Sequence, residues 1–152
     1  MQYVSSAGEA EGCIFCNGRD AVDEQAAHVV HRGELAIVIL NAFPYNTGHL
    51  MIAPKRHVGE LDECSTEERS EIIETTTTSI GIVREEMGAH GFNVGMNLGR
   101  VAGAGIPGHL HVHVVPRWGG DTNFMPVVAD TKVLPEMLAE TYAKLRPRFA
   151  EL

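Results

Sequence analysis

His109-Leu110-His111-Val112-His113-Val114-Val115 alternates imidazole with aliphatic side chains. Successive side chains of an extended strand point to opposite faces. The spacing predicts a strand over His109–Val115, ended by Pro116, with the three histidines on one face and Leu110, Val112 and Val114 in the core. Three readings of that face are open: a solvent-facing polar strand, a purely structural metal site, or a catalytic surface. An exposed strand has no need of three imidazoles. Histidine is the commonest metal ligand, and neighbours that hydrogen-bond it set its tautomer. It can also act as a nucleophile. Catalysis is the favoured reading.

Upstream, Val29–His31 and Leu35–Leu40 read as two strands around a turn at Arg32-Gly33. The second is apolar without alternation, as a strand covered on both faces would be. Asn41 to Gly48 is a loop by composition, and Leu50–Ala53 a strand stopped by Pro54. Ser65 to Glu86 is the clearest helix. Ser65-x-x-Glu68 is a capping-box pattern, and Gly88 a plausible stop. Ile72, Ile73, Thr76, Ile80, Val83 and Met87 share one face. Glu67, Glu68, Glu71, Glu74, Glu85 and Glu86 read as a solvated face. Thr75–Thr78 lower the helix propensity, so tertiary packing must carry part of it. Phe92–Asn97 reads as a strand, Gly99–Gly108 as a glycine-rich loop, and Thr131–Arg148 as a second helix with Pro135 in its first turn. Strands, helix, strands, helix, with short connections and no βαβ alternation, predict an α+β fold: an antiparallel sheet of about five strands with two main helices.

The chain has 152 residues, enough for one domain, read as 13–152 after a loose polar arm at 1–12. Twelve Lys and Arg against 20 Asp and Glu leave a net charge of −8, which argues against a coat on nucleic acid. No apolar run approaches about 18 residues, so no membrane span is expected. No basic stretch precedes a long apolar run at the N-terminus, so no signal peptide is expected and the expected location is cytoplasmic. Three cysteines, Cys13, Cys16 and Cys64, leave one over from any disulfide framework. Cys13-x-x-Cys16 has metal or redox spacing, or is simply a buried pair; a thioredoxin-like role lacks its βαβ context. Cys64 reads as a plain buried or boundary residue, and His28, His31 and His90 as surface residues.

The alternating histidine string resembles the signature of the histidine triad superfamily of nucleotidyl hydrolases and transferases, and the resemblance runs from about Cys13 to the C-terminus. Leu40-Asn41-Ala42-Phe43-Pro44-Tyr45-Asn46-Thr47-Gly48-His49-Leu50-Met51-Ile52-Ala53-Pro54 is similar to that family's nucleoside-binding segment. His113-Val114-Val115-Pro116-Arg117-Trp118-Gly119-Gly120-Asp121-x-Asn123-Phe124, with Gly91–Gly99, resembles the actinobacterial diadenosine tetraphosphate phosphorylase branch.

The resemblance implies a histidine triad fold and an enzyme that cleaves dinucleoside polyphosphates or related nucleotidyl conjugates. His111 matches the nucleophile that forms a nucleotidyl-histidine, with phosphate or water as acceptor. His113 would contact the phosphate oxygens, and His109 completes the triad. Asn41 and His49 match positions near the nucleoside, with Asn41 a ribose ligand. Asn97 matches the site edge, and backbone donors of the Gly99–Gly108 loop, around Gly105, would approach the polyphosphate. The chain departs from the family where a Gln or Ser often precedes the first histidine: Ala104–Gly108 has no polar side chain, which leaves backbone donors, Arg100 or His49 as the expected substitutes. Arg117 reaches phosphate or caps a sheet edge. Trp118 stacks on a base or a partner subunit, or packs on the C-terminal helix. Some relatives bind zinc through a cysteine pair and two histidines, which implies a structural zinc site of Cys13, Cys16, His57 and His109. The family also implies a homodimer. Competing readings are a nucleotide-binding regulatory module without significant catalysis and a zinc-stabilised interaction protein.

Overall fold

The computed structural model describes residues 12–121 and 135–152. Most of the expected arm, the start of the second helix at 131–134, and Asn123 and Phe124 lie outside them. The elements run α1 (Ile14–Asp20), β1 (Val29–Arg32), β2 (Ala36–Leu40), β3 (Leu50–Pro54), α2 (Thr66–Met87), β4 (Gly91–Gly95), β5 (Val112–Arg117) and α3 (Pro135–Phe149). The five strands form one sheet in the order β1-β2-β3-β5-β4, every neighbouring pair antiparallel. This is the expected α+β architecture.

The two faces of the sheet have different partners. Val30, Val38, Leu40, Ile52, Val112 and Val114 pack against Ile72, Ile82 and Val83 of α2 and Tyr142, Leu145 and Phe149 of α3. On the opposite face Val29, Ile37, Ile39, Met51 and Ala53 pack against Cys13, Phe15 and Cys16 at α1. β2 and β3 are buried at every position, which is why neither alternates. α1 was not expected. It is seven residues long and contains Asn17 and Gly18, so propensity does not announce it. Its stability comes from docking. A Cβ on Gly18 would lie 2.9 Å from Ile39 Cδ1, so glycine is what lets the helix sit this close to the sheet.

α2 starts on the predicted capping box: Ser65 Oγ accepts from Glu68 N–H, and Glu68 accepts from Ser65 N–H. It ends at Gly88, whose left-handed φ of 62° suits glycine. The buried arc differs from expectation. Ile73 is 56% exposed, while Glu68, Thr75, Ser79 and Ile82 are buried beside Ile72, Thr76 and Val83. Buried hydroxyls stay satisfied by bonding back to the preceding turn, Thr76 to Ile72 O and Ser79 to Thr75 O. Two glutamates of the expected solvated face do structural work. Glu68 takes a two-pronged bond from Arg56, and Glu71 accepts from Leu35 and Ala36 N–H at the start of β2.

Two prolines sit inside strands rather than after them. Pro54 is the last residue of β3, paired with Ala36. Pro116 lies in β5, paired with Phe92 of β4 on one side; on the other side β3 has already ended at Leu50, opposite Val114. A missing N–H costs no ladder bond there. The histidines His109 to His111 precede the paired part of β5, and Leu110 N–H instead meets Val58 O. β4 ends at Gly95, short of the expected Asn97. His31 is half-buried against Phe149, with ring centroids 6.1 Å apart, rather than a plain surface residue. Cys64 is buried, as expected.

Candidate functional site

β5 and the extended residues before it keep the predicted alternation. Leu110, Val112 and Val114 are buried among aliphatic neighbours, and the three histidines share the other face. That face is not simply solvated. His109 is 1% exposed and His111 5%, while His113 is partly exposed. Phe15 of α1 lies over two of them, its ring centroid 5.0 Å from both His109 and His111. His111 meets His113 edge-on at 4.8 Å, and His113 meets His49 at 5.0 Å. At the other end His57 meets His109 at 5.0 Å. Five histidines from three segments thus form one file.

Hydrogen bonds set the tautomer of each ring, because a carbonyl can only accept and a backbone N–H can only donate. His111 Nδ1 lies 2.9 Å from His109 O, so Nδ1 carries the proton and donates. The neutral ring then keeps a lone pair on Nε2. Tyr45 N–H donates to His49 Nδ1 at 3.1 Å, which places the His49 proton on Nε2. That Nε2–H donates to His113 Nδ1 at 2.9 Å, so His113 carries its own proton on Nε2. A nucleophilic nitrogen and an N–H donor therefore come from adjacent rings on one face. Burial keeps these rings neutral. It pushes His49 down to about 3 and His113 down to about 4, with neighbouring imidazoles adding to the effect. Burial lowers His111 as well.

His109 faces away from this chemistry. Its Nε2–H donates to Pro54 O at 2.7 Å, leaving the Nδ1 lone pair 3.2 Å from Cys13 Sγ and 3.7 Å from Cys16 Sγ. His57 Nδ1 is 3.4 Å from Cys16 Sγ. The four ligand atoms all lie within 4.8 Å of one another. Metal–sulfur bonds of about 2.3 Å and metal–nitrogen bonds of about 2.0–2.1 Å give a tetrahedron with N···S edges of roughly 3.6 Å. The three N···S separations of 3.2, 3.7 and 3.4 Å lie near that edge. Two thiolates and two neutral imidazoles also balance a divalent cation, so the filled centre carries no net charge. Burial, with Cys13 beside it, pushes the Cys16 thiol up to about 11, so a metal must displace protons to bind there. The Pro54 carbonyl fixes the orientation of the His109 ring, the kind of outer hydrogen bond that would orient a metal-ligating histidine.

The remaining predicted residues divide. Asn41 is at the site: its side-chain nitrogen lies 3.4 Å from His49 Nδ1, and its oxygen accepts from Phe43 N–H. His49 is fully buried behind His113, with both ring nitrogens engaged, so it positions His113 instead of facing outward. Asn97 donates to Gly103 O at 3.5 Å, and Arg100 and Gly105 are exposed on the glycine-rich loop. None of these three hydrogen-bonds a histidine ring. Arg117 is committed elsewhere, two nitrogens to Asp121 and one to Asn93. Trp118 donates its indole N–H to Met87 O at the end of α2. Phe15 and Tyr45 also cover the histidines and are not among the sequence candidates. Their position offered a signal, since Phe15 lies between the two cysteines and Tyr45 four residues before His49, but only packing shows which rings they cover.

An antiparallel α+β domain that presents a file of histidines, one end backed by a Cys/His cluster, defines a class. Residues 22–120 match the HIT domain family, and the chain belongs to it. It is 43% identical to the AP-4-A phosphorylase of Mycobacterium tuberculosis over 129 residues, which are 85% of this chain and 66% of that protein. It is 35% identical to an uncharacterised HIT-like protein of Methanocaldococcus jannaschii, over 72% of this chain and 81% of that one. Among solved structures, a Zn-bound histidine triad family protein from Mycobacterium smegmatis superposes with a TM-score of 0.75 at 26% identity, covering 94% of this chain and 96% of that one.

Proposed function

We propose that this protein transfers a nucleotidyl group from a dinucleoside polyphosphate, such as diadenosine tetraphosphate, or from a related nucleotidyl conjugate, through a covalent intermediate on His111. The observation that carries this reading is the His111 Nδ1–H bond to His109 O, which leaves Nε2 as a lone pair beside the His113 donor. The similarity to AP-4-A phosphorylase supports the substrate class.

In this mechanism His111 Nε2 attacks the α-phosphorus. The P–N bond forms as the P–O bond to the departing polyphosphate breaks, and one hard displacement becomes two easier ones. His113 Nε2–H donates to a phosphate oxygen where negative charge builds. Asn41 holds the ribose. Phosphate or water then attacks the same phosphorus, the P–N bond breaks, and His111 is regenerated. Cys13, Cys16, His57 and His109 hold a zinc ion, whose contribution is structural. The chain residue that feels it is His109, whose carbonyl fixes the His111 tautomer. We further propose that 13–152 acts as one domain, that it pairs as a homodimer, and that it works in the cytoplasm; among the described residues no helix is long and apolar enough to cross a membrane.

Replacing His111 by Asn should lower turnover by several orders of magnitude while nucleotide binding persists. Product analysis with and without inorganic phosphate identifies the acceptor: a nucleoside diphosphate formed only with phosphate marks a phosphorylase. Unchanged turnover in the variant would refute the mechanism. The second reading, a regulatory nucleotide-binding module, draws on the absence of a polar side chain in Ala104–Gly108. It predicts nucleotide binding without turnover in the unmodified protein.

A further inference from the structure

The Asp121 carboxylate is a meeting point that the mechanism above does not use. Its Oδ2 accepts from Arg117 Nε at 2.8 Å, from Asn46 Nδ2 at 2.9 Å and from Trp118 N–H at 3.1 Å. Its Oδ1 accepts from Arg117 Nη2 at 2.8 Å. The Arg117 fork is the planar, two-bond pairing that fixes geometry as well as charge, and Asn93 holds its third nitrogen at 2.7 Å. A partly exposed ion pair of this kind adds little stability by itself. What it does is aim Oδ2 at Asn46.

Asn46 belongs to the loop that carries the candidate nucleoside residues. That loop is closed at its base by Asn41 N–H to His49 O at 2.9 Å and folded inside by His49 N–H to Asn46 O at 3.2 Å. The same loop supplies the Tyr45 N–H that sets the His49 tautomer. The Asn46 side chain reaches out of it, its Nδ2 bridging Pro116 O at 3.0 Å and Asp121 Oδ2.

We propose that Asp121 is a positioning residue for the nucleotide: held by Arg117, it latches Asn46 to the end of β5 and so keeps the Asn41–His49 loop in the shape that presents Asn41 to the ribose. This rests on the nucleotidyl-transfer reading. It also gives Arg117, a sequence candidate for phosphate, a different task.

The test measures diadenosine tetraphosphate turnover and, separately, AMP binding, in the full chain carrying Asp121→Ala, Asn46→Ala or both, with Asn93→Ala as control. The Asn93 variant removes a contact to Arg117 but leaves Asp121 and Asn46 joined. Loss of the latch should raise KM and the AMP dissociation constant about tenfold, the scale of one hydrogen bond to the ribose, with kcat within about threefold. Because both residues belong to one latch, the double variant should be no worse than the weaker-binding single variant. The control should keep the unmodified KM, and thermal unfolding of each variant confirms a folded chain. Unchanged KM and AMP affinity in the two single variants, fully additive losses in the double, or a fall in kcat with KM unmoved would each overturn the latch while the unmodified protein stays active. An unmodified chain that neither binds AMP nor acts on the dinucleotide overturns the nucleotidyl-transfer reading, and the latch with it.

Discussion

At the scale of single residues, the burial of the histidines makes a pH prediction with a definite sign. His113 is held down to about 4 and His49 to about 3, and burial also lowers His31 and His111. An unfolded chain protonates these rings near their ordinary value of about 6.5. Stability is therefore full above about pH 6.5 and falls as the pH drops toward the depressed folded values, because the unfolded state takes up protons first. The urea midpoint should decline steadily from pH 7 to about 4.5. Asp121, held at about 2 by Arg117, starts to lose its contribution only near the ordinary carboxylate value of 3.8, below that window. A flat midpoint across that window would contradict the neutral, buried file. For activity, the same shifts keep His111 Nε2 unprotonated at neutral pH, so turnover should persist below the pH at which a free imidazole is mostly charged.

At the scale of elements, α2 depends on its ends and α1 on its docking. Ser65→Ala removes the side-chain acceptor of the capping box and should cost about 1 kcal/mol in equilibrium unfolding, with the denaturant slope unchanged. A loss near zero would mean that the Arg56–Glu68 pair alone holds the first turn. The helix was legible from Ser65, Glu68 and Gly88 because capping is local chemistry. Its buried arc was less so. Helical spacing places Ile73 on the core face, yet the helix buries Thr75 and Ser79 and leaves Ile73 outside. α1 was invisible for a related reason. Seven residues with a glycine have no helical identity until Phe15 and Cys16 find the sheet. The strand prolines follow the same logic: whether Pro116 ends β5 depends on where β3 stops, and that is a property of the partner strand.

At the scale of the whole molecule, the Cys/His cluster ties together three parts of the chain: the start of α1, the segment after β3, and the approach to β5. Protein purified without added metal should carry roughly one zinc per chain, held by four ligands with no open position. Chelation, or Cys16→Ser, should release the metal and lower Tm, since binding free energy in a buried site is folding free energy. Metal-free protein whose Tm ignores chelator would remove zinc from the account. The net charge of −8 does not oppose a polyphosphate partner, because Glu67, Glu74 and Glu85 of α2 contribute exposed negative charge away from the histidine file.

The sequence by itself determined the alternation of His109, His111 and His113 with the core residues between them, the capped helix, and the likeness to the histidine triad family. Those features are set by backbone periods and by side chains a few residues apart, so they can be read along the chain. Only the tertiary structure decided what each imidazole does. The proton positions follow from the Tyr45 amide, the Pro54 carbonyl and the His109 carbonyl; the bond from His109 to Pro54 spans 55 residues. It likewise committed Arg117 to Asp121 and laid Phe15 over His109 and His111. Partners of this kind are chosen by which segments packing brings together, and no local spacing records them.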